Sequence, residues 1–111
     1  MVVASSSPFG GVARTGTLIA LNLLEESYPR ELARLLEQSL SGVQKALSGL
    51  EKDGLVASRM AGRTRLYRLN PRYFALRELR AFLSRLADSE DRLRARIEDL
   101  RRRPRRAGKR L

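Results

Sequence analysis

The sequence contains no cysteine and no histidine. This absence excludes disulfide bonds, thiolate nucleophiles, zinc fingers and acid–base catalysis by imidazole. The sequence also shows no glycine-rich phosphate loop, no nucleophile–base pair and no clustered carboxylates with metal-ligand spacing. We therefore predict a protein that is not an enzyme and that uses no cofactor and no metal.

Long hydrophobic runs are also missing, since no apolar stretch approaches the roughly 20 residues that span a bilayer. The segment from Met1 to Ser7 lacks the basic residues and the apolar core of a signal peptide. We therefore expect a cytoplasmic protein without a membrane partner. Aromatic residues make up only 5% of the 111 residues, and leucine dominates the hydrophobic 42%. This composition favours a single, mainly helical domain.

Acidic residues are absent from two regions in which basic residues cluster. Residues 101–111 hold seven Lys and Arg and account for most of the net charge of +11. The stretch from Gly54 to Arg77 has no acid either, and it holds six arginines, Arg59, Arg63, Arg65, Arg68, Arg72 and Arg77. Such clusters suit a polyanionic partner, although a solvated surface explains them equally well.

Three helices are predicted in the first half of the chain. The first lies within residues 12–26 and ends before Pro29, because the residue that precedes a proline avoids the helical region. Pro29 suits the first turn of a short helix over 29–36. Ser39 is a good N-cap for a third helix over 40–52, and Gly54 is its stop signal.

After residue 54 the spacing of apolar residues changes from a helical pattern to one typical of strands. Residues 55–60 and 64–69 are predicted to form two strands joined by a turn at 61–63, where Gly62 permits a positive φ. Asn70 and Pro71 are typical of a helix start, with Asn as the N-cap. The predicted fold is therefore mainly α with a small β-hairpin and a long C-terminal helix.

Apolar residues recur at alternating steps of three and four in the C-terminal region. The stripe consists of Leu76, Leu79, Leu83, Leu86, Leu93, Ile97 and Leu100, interrupted by Glu90. It predicts either one helix to about residue 103 or two helices broken near Asp88. The stripe either packs onto its own domain or forms a dimer seam. We favour the seam, because 25 helical residues span roughly 37 Å, which is more than so small a domain can cover.

The order helix, helix, short turn, helix, hairpin, helix is more specific than any of its parts. In the stretch PRELARLLEQSLSGVQKALSGLEKDGLVASRMAGRTRLYRLNP, the chain resembles the winged helix-turn-helix core of ArsR/MarR-type regulators. The resemblance covers about residues 9–85. Together with the composition of the two ends and the leucine stripe, it predicts a flexible arm at 1–8, a winged helix-turn-helix domain at 9–72, a C-terminal dimerisation helix at 73–103 and a disordered basic tail at 104–111.

The resemblance implies double-stranded DNA as a partner, bound by a homodimeric transcriptional regulator. Its recognition helix at about 40–52 would enter the major groove, and its wing at about 55–69 would lie on the backbone or minor groove. The implied DNA-binding residues are Arg30, Ser39, Ser41, Gly42, Gln44, Lys45, Ser48, Arg59, Arg63, Thr64 and Arg65. Helix geometry agrees independently for α-helical positions 41, 44, 45 and 48, which point outward when Val43, Leu47 and Leu50 point inward.

Two departures from the family pattern stand out. Gly42 occupies a position where Ser or Thr is usual, and Gly49 lies inside the recognition helix, where glycine costs about 0.5–1 kcal/mol relative to alanine. The Cys and His residues of the metal-sensing branch are absent. An alternative function is a protein-interaction or assembly module that works through its C-terminal helix and has only non-specific affinity for nucleic acid.

Overall fold

The computed structural model describes residues 8–102. The predicted arm at 1–8 lies outside this range except for Pro8, and the predicted tail at 104–111 lies outside it entirely. Five helices and one hairpin follow in the order α1 (Val12–Leu24), α2 (Pro29–Leu36), α3 (Leu40–Lys52), β1 (Val56–Ala61), β2 (Thr64–Leu69), α4 (Leu76–Ala87) and α5 (Asp91–Arg102). This arrangement is a winged helix-turn-helix, as the sequence predicts.

Helix α1 is the centre of the fold. Leu18, Ile19, Ala20 and Leu21 are fully buried, so the helix is covered all around at this level. It packs against α3, α4 and α2 and also contacts β2. A helix that is apolar on several faces is buried when other elements surround it. Here α2, α3, α4 and the hairpin surround α1.

The turn between α2 and α3 is three residues long and contains a left-handed residue. Glu37 has φ 56° and ψ 43°, which ends α2 and redirects the chain. Its backbone N–H and that of Gln38 donate to carbonyls of the last turn of α2. The predicted bounds of α2 and α3 are confirmed at both ends.

The hairpin is a two-stranded antiparallel sheet in which Val56 pairs with Leu69 and Ala61 with Thr64. Gly62 has φ +65° in the turn, a conformation that glycine adopts without strain. Val56 and Leu69 are buried at the base of the hairpin, whereas residues 60–65 are exposed. The hairpin therefore leaves the core and projects as a wing.

The predicted helix start at Asn70 is wrong. The Oδ1 of Asn70 accepts from the backbone N–H of Arg72 at 3.0 Å, and its Nδ2 donates to the carbonyl of Gly54 at 2.9 Å. Asn70 therefore forms a local turn that fastens the exit of the wing to the end of α3. Helix α4 begins six residues later, at Leu76.

The C-terminal region forms two helices rather than one. Asp88, Ser89 and Glu90 separate α4 from α5, and their backbone N–H groups donate to Arg85, Leu86 and Ala87, each three residues earlier. The Oγ of Ser89 adds a bond to the carbonyl of Leu86. The break allows α5 to fold back against α2.

This folding-back places much of the leucine stripe inside the chain's own core. Leu79, Leu83, Leu93 and Ile97 are buried in the same apolar cluster as α1, and Leu76, Leu86 and Leu100 are half-buried against it. Glu90, which interrupts the stripe, is only 1% exposed. A dimer seam made of the whole stripe would require this core to open, so in this conformation the stripe packs onto its own domain.

Candidate nucleic-acid interface

The N-terminus of α3 is organised by Ser39. Its backbone is extended, with φ −67° and ψ 150°, and its Oγ accepts from the backbone N–H of Gly42 at 3.0 Å. This is the N-cap that the sequence predicts, and such a cap stabilises a helix by about 1 kcal/mol. It fixes where α3 begins and therefore which side chains face outward.

The outward face of α3 carries the predicted base-reading residues. Ser41, Gln44, Lys45 and Ser48 are exposed, while Val43, Leu47 and Leu50 are fully buried against the core. The side chains of Gln44, Lys45 and Ser48 make no hydrogen bond or ion pair with any residue in the range 8–102. Their polar groups are thus available to an external partner.

The two glycines of α3 stand where another side chain is close. A Cβ on Gly42 would lie 2.9 Å from the Oγ of Ser39, so a larger residue would disturb the N-cap. A Cβ on Gly49 would lie 2.6 Å from Nη1 of Arg14. Arg14 crosses α3 at this point and binds the Asp53 carboxylate at 2.8 Å and the carbonyl of Phe9 at 2.7 Å. The unusual Gly49 therefore makes room for an arginine that ties α1 to the end of α3.

The wing is attached to the loop before α2 by an isolated β-bridge. The backbone N–H of Ser27 donates to the carbonyl of Tyr67 at 3.0 Å, and the N–H of Tyr67 donates to that of Ser27 at 2.7 Å. The buried Oγ of Ser27 in turn donates to Glu31 of α2 at 2.6 Å. These bonds hold the wing and the helix-turn-helix at a fixed relative position.

Two of the predicted wing contacts already have partners in the chain. Arg59 forms a bidentate pair with Glu26, with both N–O distances 3.0 Å. Arg65 donates to the Oγ of Ser58 at 3.0 Å, and that hydroxyl donates to Glu51 at 2.7 Å. The sequence does not reveal these partners, because Glu26 lies 33 residues from Arg59 along the chain and Glu51 is linked to Arg65 only through the hydroxyl of Ser58.

Tyr67 lies beside this second chain of bonds. Burial is the main cause that raises the pKa of its phenol, and the negative charge of Glu51 raises the pKa further, while Arg65 opposes the shift. The phenol therefore stays neutral through the physiological range. Arg65 and Glu51 act here as an internal pair around a half-buried ring.

The side chain of Arg63 is different, because it has no hydrogen-bond or ion-pair partner within residues 8–102. The same holds for the side chains of Arg30 and Lys45. A cleft of about 280 Å³ separates the wing tip from the helix-turn-helix, and its lining is formed by Tyr28, Pro29, Arg30, Leu40, Gln44, Arg63 and Thr64. The structure thus brings together four predicted contacts, Arg30, Gln44, Arg63 and Thr64, from α2, α3 and the wing. Tyr28 and Leu40 line the same cleft and were not predicted.

Clusters of acidic side chains and long apolar helices would indicate metal binding and membrane insertion. Within residues 8–102 no group of three or more acidic side chains could hold a metal ion. In the same range no helix has both the length and the apolar character required to cross a membrane.

The comparisons with known proteins support the fold. No protein-family model and no curated protein matches the sequence. Solved structures of Lactococcus lactis ZitR do match. A mutant of it in apo form superposes with a TM-score of 0.56 at 21% identity over 79% of this chain and 64% of that chain. Wild-type ZitR in complex with DNA gives a TM-score of 0.57 at 17% identity, covering 90% and 67%. The chain spans about two thirds of the length of these structures, and at these identities the likeness shows a shared winged-helix fold.

Proposed function

We propose that this chain binds double-stranded DNA sequence-specifically, as a homodimeric transcriptional regulator of the ArsR/MarR-like type and not as an enzyme. The observation that carries the proposal is the free polar face of α3, where Gln44 and Lys45 are exposed beside the cleft that also holds Arg30 and Arg63. The neighbour's structure in complex with DNA supports the same use of the fold.

The face of α3 has the chemistry that base reading needs. The amide of Gln44 suits the paired acceptor and donor of adenine in the major groove, and the ammonium of Lys45 suits guanine or a phosphate. Ser41 and Ser48 add small hydroxyls one turn away on the same face. An α-helix fits the major groove, so these four side chains would reach base edges together.

The wing and the start of α2 have the chemistry of backbone contacts. Arg30 and Arg63 project from opposite sides of the cleft and have no internal carboxylate partner among the described residues. Arginines of this kind bind phosphate and set the register of the protein on the duplex. The capping Ser39 and the exposed Thr64 would add neutral contacts on either side, and Gly42 would let the backbone approach closely. While Arg59 stays bound to Glu26 and Arg65 to Ser58, these two arginines would attract DNA through their positive charge rather than by direct hydrogen bonds.

Fluorescence anisotropy with a duplex from the chain's own promoter region, and with random duplex, tests the proposal. We expect the promoter to bind at least about 1,000-fold more tightly at moderate salt, which is the lower end of the usual range for specific binding. The double variant Gln44→Ala/Lys45→Ala should lose this preference and keep its fold. Arg94→Ala, which removes one positive charge from α5, is the matched control and should keep it.

A second variant separates reading from simple charge. Replacing the Lys and Arg residues beyond Arg102 by glutamine should weaken binding to both duplexes alike and leave their ratio unchanged. If instead both duplexes bind equally in the natural protein and this variant binds neither, charge alone is responsible. If no duplex binds at moderate salt, the interaction-module function takes the place of DNA binding.

A further inference from the structure

The surface around α4 exposes large apolar side chains. Within residues 8–102 three such side chains are well exposed, and two of them belong to this region: Phe74, which is 92% exposed just before α4, and Phe82, which is 45% exposed at its middle. An apolar groove of about 410 Å³ runs beside Phe82 and is lined by Phe9, Leu55, Tyr73 and Leu79 among others. The ring of Phe82 contacts that of Phe9 with centroids 5.8 Å apart.

The three sides of α4 have different surroundings. Leu79 and Leu83 face the core, and Arg80 and Ser84 face α1, where both bond to Asn22. The third side faces away from the core, and among the described residues its one ring contact is that of Phe82 with Phe9. It presents Glu78, Ala81, Phe82 and Arg85, all exposed.

This third side is complementary to itself. Glu78 and Arg85 lie seven positions apart, roughly 10 Å along the helix, with Ala81 and Phe82 midway between them. If a second α4 lies antiparallel and the two-fold axis passes between Ala81 and Phe82, Glu78 of one copy faces Arg85 of the partner subunit, and the reverse. Near the axis, Ala81 of one copy faces Phe82 of the partner subunit. Because Ala81 is small, the two helices can approach closely there.

The charges of this side are not committed elsewhere. Glu78 has no ion pair or hydrogen bond within the described residues. Arg85 has a single contact, to Asp88 at 4.0 Å, and both side chains of that pair are largely exposed. Exposed pairs of this kind contribute little to stability, so Arg85 is free to change partner.

Helix α5 lacks these properties. Its exposed positions are charged except for Ala95, and its apolar residues Leu93 and Ile97 are buried within the chain. Leu100 is half-buried, and no large apolar side chain of α5 within residues 8–102 is well exposed. The exposed aromatic surface thus belongs to α4 and its flank, although the leucine stripe of the sequence extends through both helices.

We propose that a second copy of this chain docks on the outward side of α4, antiparallel, with two symmetric Glu78–Arg85 ion pairs around a contact made by Ala81 and Phe82. The inference rests on the homodimer of the proposed function and names its surface. A two-fold interface of this type contacts the same patch on both copies, which is why each copy of α4 supplies the carboxylate of one ion pair and the guanidinium of the other.

Sedimentation velocity of the full chain over a concentration series, without DNA, tests the interface by charge exchange. The natural protein should dimerise. Glu78→Arg and Arg85→Glu should each raise the dimer dissociation constant by about tenfold or more, because like charges then face each other twice. The double variant Glu78→Arg/Arg85→Glu should restore dimerisation, since the pairs re-form with exchanged signs.

Glu98→Arg on α5 is the matched control, because it makes the same change of charge at an exposed position of the other helix and should leave the dissociation constant unchanged. A monomeric natural protein at all concentrations would overturn the inference together with the homodimer, while the anisotropy experiment would still decide on DNA binding. A dimer that ignores both single variants, or that the double variant does not restore, would overturn the α4 surface alone.

Discussion

Arginines serve opposite purposes at the two ends of this molecule. On α5, Arg96 donates to the carbonyls of Arg34 and Leu35 at the end of α2 and also approaches Glu37 at 3.4 Å. Arg92 binds Glu37 at 2.6 Å, and Arg101 donates to the carbonyl of Leu23 at the end of α1. At the other end, Arg30 and Arg63 have no such partner within residues 8–102.

The difference shows why net charge is a poor guide to function. The arginines of α5 satisfy helix C-termini, whose free carbonyls carry partial negative charge, and they hold the left-handed Glu37 in the turn that precedes α3. The side chains of Arg30 and Arg63 in the cleft bond to no group within residues 8–102. A count of basic residues treats the two groups alike, whereas their partners separate a structural group from the group that we propose binds DNA.

The largest effect on stability is expected at Arg96. Arg96→Ala leaves two carbonyls of α2 and the Glu37 carboxylate without this donor, and hydrogen bonds to charged groups are worth about 1.5–3 kcal/mol. We expect the free energy of unfolding to fall by about 2 kcal/mol in urea titrations. Arg94→Ala on the same helix loses only a 3.9 Å contact to the exposed Asp88. Equal losses for the two variants would contradict the structural assignment of Arg96.

A smaller effect of a different kind is expected at the cleft. Arg63→Ala should change the free energy of unfolding by less than about 0.5 kcal/mol, because the side chain has no internal partner. It should weaken DNA binding on every sequence and lower the slope of log affinity against log salt by about 1, the value for one phosphate contact. Anisotropy across a salt series measures both quantities. If the salt dependence of binding is unchanged in the variant, Arg63 does not contact a DNA phosphate.

The smallest effect is a coupling between Gly49 and Arg14. In an Arg14→Ala background, Gly49→Ala should stabilise the protein by about 0.5–1 kcal/mol through helix propensity. With Arg14 present, the new methyl group displaces the guanidinium from Asp53, so most of this gain should vanish. A double-mutant cycle from urea unfolding gives the coupling directly, and a coupling of zero would mean that Arg14 moves aside without loss.

The sequence predicts local structure well where the signals are local. Pro29, Ser39 and the apolar spacing of α3 fix both helices of the helix-turn-helix, and the change to alternating residues around Gly62 fixes the hairpin. Asn70 misleads because an asparagine bonds its own turn as readily as it caps a helix. Which of the two it does depends on Gly54, sixteen residues away.

Long-range partners are the part that periodicity does not supply. A stripe such as Leu79, Leu83 and Leu93 has the same spacing whether its partner is the chain's own α1 or a second copy. The outward positions of α3 follow from helix geometry alone, so their exposure was predictable. The pairing of Arg59 with Glu26 was not, and it separates Arg59 from Arg63, which the sequence had placed in one group.

The independence of the outward face of α3 has a consequence for how such a protein changes over time. The side chains of Gln44, Lys45 and Ser48 are exposed outside the core and make no hydrogen bond or ion pair within residues 8–102. Substitutions at exposed positions of this kind usually change stability by less than about 0.5 kcal/mol. If α3 reads DNA as proposed, successive substitutions at these positions can change the preferred DNA sequence one residue at a time while every intermediate protein remains folded.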